Sequence, residues 1–198
     1  MQDCCSSWKE IFIRESSQID PQPGHPSFMP GQLMYDNHMN ALNYVLSSGW
    51  ELNEHTPLDI HRLLTRGIPF YEDRGLSGTY RNCDVYIAGD KAPSAYMLSN
   101  LMSQWFYISK KLMDDESLSP FDTASVVHHM FEVVHPFIDG NGRTGRLLFQ
   151  KVLFDLGQDP QIIFYDKRNL YYLEIQLFRE NFFDGIEFDI KSIIDKIS

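Results

Sequence analysis

The sequence predicts a mainly α-helical bundle with a central helix–loop–helix and one short β-hairpin. Three observations carry this. Apolar residues recur at three- and four-residue spacing in several runs, opened by capping residues or proline and closed by glycine. Two strongly apolar runs, residues 119–134 and 145–157, flank a polar, glycine-rich loop. Strand-like alternation is concentrated in one stretch, residues 75–94.

Residues 7–19 read as a helix with Trp8, Ile11, Phe12 and Ile19 on one face and Lys9, Arg14 and Glu15 mostly elsewhere. "DPQPGHPSFMPG" then interrupts the chain with prolines and glycines and reads as a linker. Residues 1–24 are therefore expected to form a helix and linker, and residues 25–198 a single globular unit on which the helix docks. A second helix is expected over residues 32–48, stopped by Gly49. In "TPLDIHRLLTRG", Thr56 is the expected cap, Pro57 suits the first helical position, Asp59 completes a capping-box-like pair and Gly67 ends the helix.

"GLSGTYRNCDVYIAGDKAPS" reads as a hairpin, with Thr79–Arg81 and Asp84–Ile87 flanking a polar turn. So short a hairpin must pack on something else. A helix over residues 94–112 follows. "SPFDTASVVHHMFEVV" has Ser119 as cap, Pro120 at the first position, and Ala124, Val127, Phe131 and Val134 as a buried stripe. "GRLLFQKVLFDLG" is a second apolar helix ending at Gly157, and one or two more helices finish the chain.

The composition, 43% hydrophobic over 198 residues, is that of a globular domain and not of a disordered chain. A formal charge of −10 argues against binding nucleic acid or an anionic membrane. Local arginines can still hold a small anion. Cys4, Cys5 and Cys83 show no metal-type spacing and read as free thiols in a reducing compartment. With no signal-peptide pattern and no apolar run of spanning length, the expected location is cytoplasmic; delivery by a dedicated secretion machine is compatible with this. The oligomeric state is left open.

The chemistry concentrates in "HPFIDGNGRTGR", residues 135–146. Loop N–H groups leading into a helix make an anion site. Arg143 and Arg146 are expected in that helix's first turn, where a cation is unfavourable beside the positive end of the helix dipole unless an anion sits in front of it. Asp139 is a carboxylate suited to Mg²⁺ shared with phosphates. Asn141 can donate to a phosphate oxygen and accept from backbone. Histidine titrates near neutrality, so His135 suits proton abstraction from a hydroxyl. Together these are the groups needed for attack of a hydroxyl on phosphorus. For His128 and His129, packing is the simpler reading than metal ligation, because no further ligand joins them at a zinc spacing.

At these residues the sequence resembles the Fic family, whose signature H-x-F-x-[D/E]-G-N-G-R-x-x-R is matched at every specified position. "IHRLLTRGI", "SGTYRNCDVYIAG" and "RNLYYLEI" resemble flanking family segments, so the likeness spans roughly residues 56–181. The resemblance implies a helical Fic fold and a protein adenylyltransferase that moves AMP from ATP to a Ser, Thr or Tyr hydroxyl of a protein and releases pyrophosphate. By position, His135 would be the base, Asp139 the Mg²⁺ ligand and Phe137 a core anchor. Gly140, Asn141 and Gly142 would cradle phosphates, and Arg143 and Arg146 would bind the β- and γ-phosphates. A flap over residues 80–89, with Tyr80, Val85, Tyr86 and Ile87, would dock the target as an added strand. Tyr172 would lie against adenine.

Ser16-x-x-x-Asp20-Pro21 partly matches the family's inhibitory [S/T]-x-x-x-E-[G/N] helix, with aspartate for glutamate and proline for the small residue. Asp20 is expected to face Arg146 as a weakened inhibitory element. A plain helix end is the competing reading. The alternatives are another donor, phosphate transfer, AMP removal, a nucleotide-binding module without turnover, or an interaction protein that works through the flap or the N-terminal helix.

Overall fold

In the computed structural model, residues 7–19, 31–87, 90–185 and 187–197 are described. The chain runs through α1 (Ser7–Ile19), α2 (Gln32–Val45), α3 (Thr56–Thr65), the one-turn α4 (Pro69–Glu72), strands β1 (Tyr86–Ile87) and β2 (Asp90–Lys91), then α5 (Leu98–Met113). It continues through α6 (Pro120–Val134), α7 (Asn141–Asp155), α8 (Arg168–Phe182) and α9 (Ile190–Ile197). The fold is mainly α-helical with one small antiparallel ribbon, Tyr86 opposite Lys91 and Ile87 opposite Asp90.

The two apolar helices are central because neither has a polar face wide enough for solvent. Ala124, Val127, Phe131 and Val134 of α6 are all fully buried, as are Leu147, Leu148 and Val152 of α7. Burying each larger side chain stabilises the fold by roughly 1.5–3 kcal/mol. Ser119 caps α6 by accepting from the Asp122 N–H at 3.4 Å, with Pro120 next, as the sequence suggests. Trp105 of α5 donates its indole N–H to the Val127 carbonyl at 2.9 Å, so even this large side chain leaves no orphan donor in the core.

Packing against this pair positions the rest. Helix α1 lies on α2 and α7 through Phe12, Ile13 and Ile19. Helices α8 and α9 cover α6 through Phe178, Phe182 and Ile193.

Several expected boundaries move. Helix α2 ends at Val45, before Gly49. His55 stands at the cap of α3, while Thr56 lies inside the helix and its hydroxyl accepts from the Asn53 N–H at 3.0 Å. Asp59 pairs with Arg62 at 2.6 Å rather than completing a capping box. Helix α5 starts at Leu98 after a 3₁₀ turn, Ala95–Met97. The hairpin is shifted along the chain: Thr79–Arg81 is not a strand, and β1 pairs with Asp90–Lys91 beyond it. The alternation at Tyr80 and Arg81 reflects a buried loop root, described below.

Candidate active site

Helix α6 stops abruptly. His135 takes φ 50 and ψ 60, and it has the one positive φ of a non-glycine residue among the described residues. The chain then turns through residues 136–140 into α7. Asn141 closes this turn with both ends of its amide: its Oδ1 accepts from the Phe137 N–H and its Nδ2 donates to the Phe137 carbonyl, each at 2.9 Å. These bonds brace the backbone of the turn and use one of the two Nδ2 hydrogens.

Beneath the turn, the His61 ring of α3 stacks on Phe137 at 3.9 Å between centroids. Its Nδ1 accepts from the Gly78 N–H at 3.0 Å, so Nε2 carries the proton and donates to the Asp139 carbonyl at 3.0 Å. Burial pushes His61 down to about 4, which keeps this neutral tautomer in place. Gly140 has φ 84, which favours glycine, and a Cβ there would press on the same ring at 3.2 Å. The Asp139 carboxylate receives the Tyr71 hydroxyl in a short hydrogen bond. Arg143 reaches both, 3.1 Å to the Tyr71 oxygen and 3.4 Å to Asp139 Oδ2. Burial raises Tyr71 to about 12, so it stays a donor.

Arg146 lies deeper, 1% exposed. Its Nε donates to the Ser16 hydroxyl at 2.9 Å and its Nη2 to the Ser16 carbonyl at 2.8 Å, which ties α7 to α1. Its Nη1 reaches the Tyr171 hydroxyl at 3.3 Å, which in turn lies 3.1 Å from His128 Nε2. His38 of α2 completes the wall, with Nδ1 3.4 Å from the Ser17 hydroxyl. Burial, reinforced by Arg143 and Arg146, pushes His38 down to about 3, so it is neutral here.

A model of the Fic/DOC family matches residues 51–153, just over half of the chain, with the turn toward the C-terminal end of the match. The chain belongs to the Fic/DOC family. It is 32% identical over 145 residues to a protein adenylyltransferase Fic of Drosophila grimshawi, covering 73% of this chain and 29% of that protein. To the protein of the same name from Nematostella vectensis it is 34% identical over 140 residues, covering 67% and 31%. The chain thus spans under a third of the length of these curated relatives. Two solved structures share the fold at 19% identity. A Fic-domain signalling protein from Bacteroides thetaiotaomicron has a TM-score of 0.76, covering 97% of this chain and 81% of that one. Fic-1 from C. elegans, residues 134–508, has a TM-score of 0.66, covering 98% and 63%.

Of the Fic/DOC signature residues, the fold gathers His135, Asp139, Gly140, Asn141, Gly142, Arg143 and Arg146 around one turn and brings Ser16 onto Arg146 from 130 residues away. Asp20 lies outside the described residues. Tyr172 is 46% exposed, and its hydroxyl donates to the Ile19 carbonyl at 2.7 Å. This bond ties its hydroxyl to the end of α1. Tyr80 is half-buried, 5.6 Å from the Phe137 ring, and burial raises it to about 12, so its side chain packs near the turn. Tyr86 is 70% exposed at the ribbon; Val85 accepts from the Ala92 N–H at 3.0 Å, and Ile87 is half-buried.

His38, His61, Tyr71, Arg81 and Tyr171 were not singled out from the sequence. The signal nearest to hand was their setting: charged or polar residues inside otherwise apolar or strand-like stretches, whose burial demands a partner.

Proposed function

We propose that this Fic/DOC protein is a protein adenylyltransferase, moving AMP from ATP to a hydroxyl of another protein. The observation that carries the reading is the convergence of His135, Asp139, Arg143 and Arg146 on one turn at the N-terminus of α7. Curated relatives with the adenylyltransferase name at 31–34% identity support it.

In this reaction the acceptor oxygen bonds to the α-phosphorus. The α–β bridging P–O bond breaks, pyrophosphate leaves, and the acceptor proton passes to the His135 imidazole. The first-turn N–H groups of α7, including Gly142, have no intrahelical acceptor and face phosphate oxygens. Arg143 and Arg146 take the charge of the outer phosphates.

Asp139 would hold Mg²⁺. Among the described residues no cluster of three or more His, Cys, Asp or Glu could hold a metal alone. One carboxylate plus phosphate oxygens fits Mg²⁺, which completes its shell with water. The ion would neutralise phosphate charge; Tyr71 and Arg143 keep the carboxylate oriented.

Helix α1 restrains this site. The Nε and one Nη2 hydrogen of Arg146 already donate to Ser16, so a phosphate that uses those donors competes with α1 for them. Ser16 thus does in this chain part of what the weakened Asp20 match implies.

The test is incorporation of label from α-labelled ATP with Mg²⁺, alone and in lysate. Label that vanishes in His135→Ala supports AMP transfer. Label from γ-labelled ATP instead would establish phosphate transfer and refute it.

A further inference from the structure

We propose that Arg81 is a positioning residue that fixes the backbone of His135 against the root of the flap, so that base and target are held in one register. The assignment rests on the adenylyltransferase reading for what His135 does, but its geometry stands apart from that reading.

Arg81 is 3% exposed, and each of its side-chain hydrogen bonds ends on a main-chain carbonyl. Nε donates to His135 O at 2.8 Å and Nη2 to Val134 O at 3.4 Å. The Arg81 N–H donates to Pro136 O at 2.9 Å. Three successive carbonyls of the α6 terminus and turn are therefore held by one residue.

The reason they need holding is local. The last carbonyls of a helix have no intrahelical donor. The last turn of α6 also contains no basic residue to satisfy them or to offset the negative end of its dipole. In addition, His135 sits in the left-handed region, where a non-glycine side chain crowds the backbone and is disfavoured. A guanidinium inserted from outside answers all three needs.

The same guanidinium reaches the flap. Nη1 donates to Cys83 O at 3.0 Å, where the chain enters the ribbon, and Nη2 donates to Pro93 O at 2.6 Å, where it leaves. Both ends of the ribbon and the His135 peptide are thus tied to one rigid plane. Arg81 makes none of the contacts that brace the Asp139–Arg146 cradle. It should therefore affect transfer and acceptor placement and leave nucleotide binding alone.

Lysine separates positioning from charge. An ammonium keeps the cation but is a point donor on a flexible stem and cannot hold four carbonyls in a plane. Misplacing reacting groups by about 1 Å costs on the order of 100-fold in rate.

The full chain carrying Arg81→Lys or Arg81→Ala is compared with wild type and His135→Ala. Measured are label incorporated from α-labelled ATP, ATP affinity by calorimetry, and the His135 ring resonances, assigned by their loss in His135→Ala. In Arg81→Lys, label falls about 10- to 100-fold, ATP affinity stays within about threefold, and the His135 resonances shift. Methylguanidinium, but not methylammonium, returns label and resonances in Arg81→Ala. Wild-type labelling in Arg81→Lys, or a loss of ATP affinity as large as the loss of label, overturns the proposal. If the wild type labels nothing, the adenylyltransferase reading has failed, and the resonances alone judge Arg81: unchanged in Arg81→Lys they overturn it, and shifted then restored in Arg81→Ala by methylguanidinium they support it.

Discussion

Replacing Ser16 by alanine removes the hydroxyl that accepts from Arg146 Nε at 2.9 Å and leaves the 2.8 Å bond from Nη2 to the Ser16 carbonyl. A hydrogen bond to a charged, buried group is worth about 1.5–3 kcal/mol, and alanine's better helix propensity offsets about 0.5 kcal/mol of its loss. Docking of α1 should weaken by about 1–2 kcal/mol. If docked α1 excludes phosphate from Arg146, apparent affinity scales with the undocked fraction, so ATP should bind roughly 5- to 30-fold more tightly. The assay is calorimetric titration of ATP with Mg²⁺, alongside amide hydrogen exchange of residues 7–19. Faster exchange in α1 with ATP affinity unchanged within twofold would refute the reasoning, because the helix would then be released without freeing the arginine for the nucleotide.

Two further outcomes follow from the same geometry. Acid should destabilise the fold through its buried histidines. His38 is pushed to about 3 and His61 to about 4, each chiefly by burial, while the unfolded groups titrate near 6.5. The unfolded chain then binds more protons, so their stabilisation is intact above about pH 6.5 and declines as pH falls toward 4. Each costs up to about 2 kcal/mol at pH 5, read as falling denaturant midpoints; a flat profile from pH 7 to 5 would contradict this. Tyr71→Phe removes the hydroxyl shared by Asp139 and Arg143, so stability should drop by about 1–2 kcal/mol and the Mg²⁺ needed for half-maximal labelling should rise. An unchanged Mg²⁺ requirement would show that Asp139 needs no such brace.

Legibility from sequence followed the range of the interactions. The α6 cap, the buried stripe and the glycine-rich turn rest on neighbours along the chain, and Ser119, Pro120 and the 135–146 spacing show them directly. Ser16 was legible because it belongs to a local pattern, although what it grips lies on another helix. The hairpin register was misread because Tyr80 and Arg81 alternate like a strand. In fact Tyr80 packs near Phe137 and Arg81 bonds to the end of α6, contacts no period-two rule contains. The partners of Tyr172 and Asn141 within the fold were not legible from sequence. Their first partners are the protein's own carbonyls at Ile19 and Phe137. His61 and Tyr71 escaped notice because each matters through a turn nearly seventy or more residues away.

The most direct test of the central claim is protein labelling with α- and γ-labelled ATP in parallel, with wild type, Ser16→Ala and His135→Ala. The account predicts α-label on protein, more of it in Ser16→Ala, none in His135→Ala, and no γ-label in any. Label that persists in His135→Ala, or that comes from the γ-position, would contradict it.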